Sequence, residues 1–149
     1  MAGNRTLIRG RQIPVVPTDG GVAAGDPCVL GQVPGVSLNG RTVVNGTPSS
    51  TAPQSVDTLG VYNLYVRGRK GGANAAIASG DPVYYTPGVA YAAGTTTPLS
   101  GDSTETAAVL FGYALGKQRT GDVNVAGYPG GTVVASGAQT AIDIRVGAI

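Results

Sequence analysis

Histidine and tryptophan are absent from these 149 residues, and cysteine, methionine, phenylalanine and glutamate occur once each, as Cys28, Met1, Phe111 and Glu105. Without histidine there is no everyday general base, no Ser-His-Asp arrangement and no usual transition-metal ligand. One cysteine excludes an internal disulfide, and with no histidine beside it a zinc site is excluded too. Cys28 reads as a small buried hydrophobe. The single glutamate and seven scattered aspartates show no Asp-x-Asp or Glu-x-x-Asp spacing. We therefore expect no enzyme, no cofactor and no metal. Charge is also thin, 12% of residues with a net +2, which falls short of the dense basic stripe that nucleic-acid binding needs. No run approaches the roughly 20 apolar residues of a membrane span, and the first residues lack the apolar stretch of a signal peptide. No membrane association is expected.

What is present is turn and strand chemistry. Gly 25 and Pro 10 exceed ordinary usage without a three-residue period, and they punctuate runs of Val, Tyr and Thr. Two lysines and one glutamate are a poor vocabulary for helix surfaces. The fold expected is all-β, a compact antiparallel β-barrel or β-sandwich of short strands. An extended N-terminal arm (1–17) precedes a single β-domain (18–149). Its core must be built mainly from small residues, so neighbouring subunits or a partner surface are expected to add stability. Strands are predicted over 28–33, 35–38, 41–44, 56–66, 82–85, 88–92, 107–115, 122–126, 132–135 and 140–146. In the last, Ile142, Ile144 and Val146 alternate with Asp143 and Arg145, one buried face and one wet. Polar loops are expected over 45–55 and 93–104, and a basic loop over 67–75. Asn39-Gly40 reads as a two-residue hairpin.

An internal repeat organises the chain. Gly25-Asp26-Pro27-Cys28-Val29-Leu30 recurs as Gly80-Asp81-Pro82-Val83-Tyr84-Tyr85, and Pro-Gly-Val follows each copy at 34–36 and 87–89. A looser echo links 59–64 with 111–115. Two β-units of about fifty residues are implied. In each, glycine permits a sharp entry, the aspartate caps nearby backbone N–H groups, and proline fixes φ at the strand's first residue. The functional alternative, Asp26 with Asp81 as a catalytic or metal pair, has no partner residues to support it.

Two further motifs invite chemistry. Gly112-Tyr113-Ala114-Leu115-Gly116-Lys117-Gln118 faintly resembles a phosphate-binding loop, but it has three residues between the glycines and no Ser or Thr after the lysine. Arg67, Arg69 and Lys70 could touch nucleic acid, although no aromatics interleave them as single-strand binding would require. A solvated or subunit-contacting loop suits them better, and the nearby tyrosines suit packing.

The string 76–85, AIASGDPVYY, resembles a phage family long catalogued as a domain of unknown function, and its order of motifs runs from Val22 to Val146. That family is the phage capsid decoration, or cement, proteins. Its members have been labelled predicted recombinases, a label that needs the ATP site this sequence lacks. The loops at 67–75 and 94–104 and the segment 127–131 depart from the family's pattern. The resemblance implies a structural protein on the outer capsid surface, made in the host cytoplasm, stabilising the shell. Its partners would be the major capsid protein and other copies of itself, commonly as trimers, with no specific nucleic acid. Candidate capsid contacts are Arg5, Arg9, Arg11, Ile13 and Val15. Candidate oligomer contacts are Tyr62, Tyr65, Arg67 and Arg69. A tail-tube or other virion β-protein is the alternative within structural proteins, and a nucleic-acid-binding recombination accessory protein is the alternative outside them.

Overall fold

The computed structural model describes residues 12–116 and 131–147. Every regular element among them is a strand. In chain order these are β1 (Gln12–Val15), β2 (Asp19–Gly20), β3 (Pro27–Leu30), β4 (Val33–Ser37), β5 (Val43–Val44), β6 (Thr47–Pro48), β7 (Gln54–Asp57) and β8 (Gly60–Arg67). They continue as β9 (Arg69–Lys70), β10 (Ala73–Asn74), β11 (Ile77–Ala78), β12 (Pro82–Tyr85), β13 (Leu99–Ser100), β14 (Val109–Gly116), β15 (Thr132–Val134) and β16 (Gln139–Val146). A five-stranded antiparallel sheet runs β1-β7-β4-β3-β2, and a closed barrel runs β12-β13-β8-β16-β14. The all-β expectation holds. One pairing is parallel, β13 beside β8 through Ser100 and Arg67.

Sheet and barrel share one core. Val29 and Val36 from the sheet pack with Leu64, Val66, Val83, Ile142, Ile144 and Val146 from the barrel. Small side chains fill most of it. The largest members, Tyr85 and Phe111, stack with ring centroids 6.2 Å apart. The two layers are also tied by polar contacts: Asp19 of β2 accepts from the Tyr85 hydroxyl at 3.1 Å and from the Gly88 N–H at 2.8 Å.

The strand β16 lies in the middle of the barrel, paired with β8 along its whole length and with β14 on the other side. Ile142, Ile144 and Val146 are buried as their alternation predicts. Asp143, expected on the wet face, is buried as well. Its register partner Asn63 donates to it at 3.0 Å, so the carboxylate is answered from the neighbouring strand.

Several predicted strands end elsewhere. The 28–33 run is broken by a two-residue turn at Gly31-Gln32, which closes the hairpin of β3 and β4. The 56–66 run is two strands. Asp57 accepts from the Leu59 N–H at 3.1 Å, and this local turn sends the chain out of the sheet and into the barrel. Only Val43 and Val44 pair within 41–44. No strand forms over 88–92, where a turn at Pro87-Gly88 is held by Asp19 and a lone bridge joins Ala92 to Thr96. Conversely, the polar 93–104 loop contains the buried strand β13, and the basic 67–75 loop contains the hairpin β9–β10. The predicted strand at 122–126 lies outside the described residues.

The hairpin expected at Asn39-Gly40 is at Asn45-Gly46 instead, between β5 and β6. Both central residues there have positive φ, 50° and 77°, the geometry of a type I′ turn. Both Asn-Gly pairs suit that turn, but β4 before the first pair already has β3 on one edge and β7 on the other. A returning strand has no edge left to join.

Candidate functional site

The two Gly-Asp-Pro turns are the same structure twice. Gly25 and Gly80 have φ of 90° and 92°, values that a side-chain-bearing residue avoids. In each, the Asp Oδ2 caps the N–H three residues back: Ala23 to Asp26 at 2.9 Å, Ala78 to Asp81 at 2.7 Å. In each, the glycine N–H and aspartate carbonyl bind one residue of the next strand, Ser37 in the first copy and Ala114 in the second. Pro27 pairs with Val36 and Cys28 with Gly35, while Pro82 pairs with Tyr113 and Val83 with Gly112. The third strands also correspond. Ser37 faces Val56 of β7, and Ala114 faces Ile144 of β16.

The chain therefore holds two three-stranded units, β3-β4-β7 and β12-β14-β16. The capping role expected of the aspartates is borne out. The trailing Pro-Gly-Val echo is not structural, since 34–36 lies in β4 and 87–89 in a turn. Nor do 59–64 and 111–115 occupy equivalent places. Gly60 and Gly112 face Val146 from opposite sides of one strand.

The surroundings of the two aspartates differ. Lys70 donates to the Oδ2 of Asp81, the same oxygen that caps the turn. Burial alone would raise the Asp81 carboxyl, but the bonds from Lys70 and Ala78 outweigh it and hold it below the usual range. Asp26 has no cation partner among the described residues, and burial pushes its carboxyl upward. Asp26 instead lines a groove with Asp19, Val22, Val89, Ala90 and Tyr91, of roughly 360 Å³.

The basic segment is neutralised from within. Arg67 pairs with Glu105 at 2.5 Å, and Arg69 with Asp102 at 3.0 Å and Glu105 at 3.3 Å. Asp102 is fully buried and also accepts from the Thr104 hydroxyl at 2.6 Å, the Thr104 N–H at 2.9 Å and the Gly72 N–H at 2.8 Å. These bonds, led by that of the Thr104 hydroxyl, hold its carboxyl far below the usual range. The hairpin β9–β10 is thus stapled to the 99–105 segment. With Arg67, Arg69 and Lys70 each facing a carboxylate, no free basic stripe exists here.

The sequence-predicted contact residues are dispersed. Arg5, Arg9 and Arg11 lie outside the described residues. Ile13 and Val15 sit half-buried on one face of the edge strand β1, opposite Val56 and Gln54. Tyr62 packs against the core and donates to Asp57 at 2.5 Å, so it faces inward. Tyr65 and Arg67 share the other face of β8, and Arg69 follows beyond Gly68.

Sequence reasoning missed the most exposed apolar feature. Val43 and Val44 in the hairpin β5–β6 are 62% and 57% exposed, with Val22 and Leu38 also exposed near its base. Arg41 fixes that base. Its guanidinium donates to the carbonyls of Pro17, Gly20 and Ser49 at 3.1–3.2 Å. The signal lay in Val43-Val44-Asn45-Gly46, a strand-and-turn pattern obscured by the polar residues that follow.

A protein-family model described as phage cement protein matches residues 8–129. The match takes in both Gly-Asp-Pro turns and strands β1 to β14, and ends before β15 and β16. No curated protein and no solved structure matches.

Proposed function

This chain belongs to the phage cement protein family, and from that premise we propose that it binds the outer surface of the phage head and stabilises the shell. The family match carries this reading. The role is structural and capsid-associated. The finer assignments are ours: the major capsid protein as partner, further copies as neighbours in a trimer, and the sheet and barrel acting as one domain on their shared core. The proposed shell contact is the hairpin β5–β6 with the edge strand β1. Exposed valines held on a rigid, arginine-clamped base favour association, because a contiguous apolar surface gains free energy when water leaves it. Stabilisation then follows from mass action, since a ligand that binds only the mature shell adds free energy at each occupied site. Three linked contacts per trimer multiply the effect through effective concentration.

Cosedimentation of the purified protein with undecorated capsids of its own phage tests the reading. Saturable, near-stoichiometric binding is expected. Replacing Val43 and Val44 by serine should weaken it by about tenfold or more, two exposed valines being worth over 1 kcal/mol when buried. Failure of the well-folded wild-type chain to bind would overturn the reading.

A further inference from the structure

The comparison between the two units shows what the first one lacks. In the second, the turn's carboxylate is completed by a cation, Lys70, carried in on the hairpin β9–β10. The first unit has the same turn, the same capped oxygen and the same register over the next two residues, but no cation on Asp26 among the described residues. Asp26 instead lines a groove together with Asp19. The bonds to both carboxylates run to Oδ2, and each Oδ1 has no hydrogen bond among the described residues. The remaining walls, Val22, Val89, Ala90 and Tyr91, suit the aliphatic stem and the flat charged head of an arginine.

We propose that this groove is a socket for an arginine from residues 1–11 of a neighbouring copy of the chain. Those eleven residues carry Arg5, Arg9 and Arg11 and no carboxylate, which is the complement the groove asks for. A guanidinium can bind two carboxylates in fork geometry, as an ammonium cannot. The sheet order sets the direction. Residues 1–11 lead into β1 at one edge of the sheet, and the groove opens beside β2 at the other, four strand spacings away. That is roughly 19 Å. The point where residues 1–11 join the sheet and the socket therefore lie at opposite edges of that sheet. Contacts of this kind join copies head to tail, into a ring where the rotation between copies closes. The inference goes beyond shell binding, because assembly through the socket needs no capsid.

The test uses the full-length chain and light scattering after size-exclusion chromatography, with thermal melts to confirm folding. The wild type should be oligomeric at low salt and should dissociate at about 1 M salt, where the screening length falls to roughly 3 Å. Asp26→Asn, which breaks the socket, should be monomeric, as should a chain with Arg5, Arg9 and Arg11 all replaced by alanine. Mixed in equal amounts, these two should form a heterodimer and nothing larger, since one intact arm meets one intact socket. Asp19→Asn provides a second socket variant if Asp26→Asn misfolds. A wild type that is monomeric at low salt would refute the proposal. So would an Asp26→Asn variant of wild-type mass, or a mixture that stays monomeric, the result expected if each arm folded back on its own groove. Capsid cosedimentation is read separately, so failure here leaves the decoration reading standing.

Discussion

Two turns of identical sequence, Gly25-Asp26-Pro27 and Gly80-Asp81-Pro82, start strands that pair alike over their first two residues, and then a bulge after Val83 and different surroundings set them apart. The first launches the hairpin β3–β4 inside an open sheet. The second launches a barrel strand whose neighbours close on themselves. One aspartate meets Lys70, the other a groove. The three-residue motif determines how the chain enters a strand. What the strand then meets is determined by the residues that follow. Pro34-Gly35-Val36 continues a sheet, whereas Pro87-Gly88-Val89 turns away.

The largest test of this comparison is at the paired glycines. A Cβ on Gly112 would lie 2.1 Å from the Arg145 carbonyl oxygen, in the backbone of the central barrel strand. A Cβ on Gly35 would lie 2.3 Å from the Val56 Cγ1, a side-chain methyl, with the nearest backbone atom, the Asp57 carbonyl oxygen, 3.1 Å away. Gly112→Ala should cost about 3 kcal/mol or more, and Gly35→Ala about 1–2 kcal/mol, by denaturant unfolding. Equal costs would mean that the two units are equally tolerant and the barrel is no stiffer than the sheet.

Next comes the staple found only in the second unit. Asp102→Ala leaves the Gly72 and Thr104 donors without their acceptor and Arg69 with Glu105 alone, and should cost about 2–3 kcal/mol. The carboxyl of Asp102 is lowered in the folded state. Its contribution is therefore fully present above the unfolded value near 4 and is lost as pH falls below it. An acid titration of stability should be flatter in the variant than in wild type.

The smallest effect separates the two turn aspartates by sign. Asp81→Asn removes a half-exposed ion pair and should cost up to about 1 kcal/mol at neutral pH. Asp26→Asn should leave the monomer as stable or slightly more so, because its carboxyl is raised by burial. A raised carboxyl stabilises below its unfolded value and loses that contribution as pH rises, opposite to Asp81. Melts of both variants at pH 7 and pH 4, in high salt, check the signs.

Much of this architecture is legible in the sequence because it is local. The Gly-Asp-Pro repeat and the apolar face of residues 140–146 depend on near neighbours, and both fold as their pattern dictates, Asp143 on the other face being the exception. Readings failed where the deciding contact was distant. Asn39-Gly40 has the chemistry of a hairpin but no free strand edge. Leu99-Ser100 sits in a polar loop by composition and in the barrel by virtue of β8 and β12. Arg67, Arg69 and Lys70 looked like a free basic loop because their carboxylates lie well away along the chain. The unmatched carboxylate at Asp26 could be found only by laying one unit over the other.

The central position of β16 also governs the order of events during synthesis. Residues 12–57 hold every strand of the five-stranded sheet, so that sheet can form while later residues are still being added. The barrel cannot. Both β8 and β14 need β16 between them, and Asn63 waits for a partner 80 residues further on. Until then two eight-residue strands expose unpaired edges, the surfaces most prone to adhere to other chains. A ribosome that stops before residue 139 would release a finished sheet beside an open, sticky half-barrel. Loss of the residues that form β16, 139–146, should therefore yield aggregated rather than merely weakened protein.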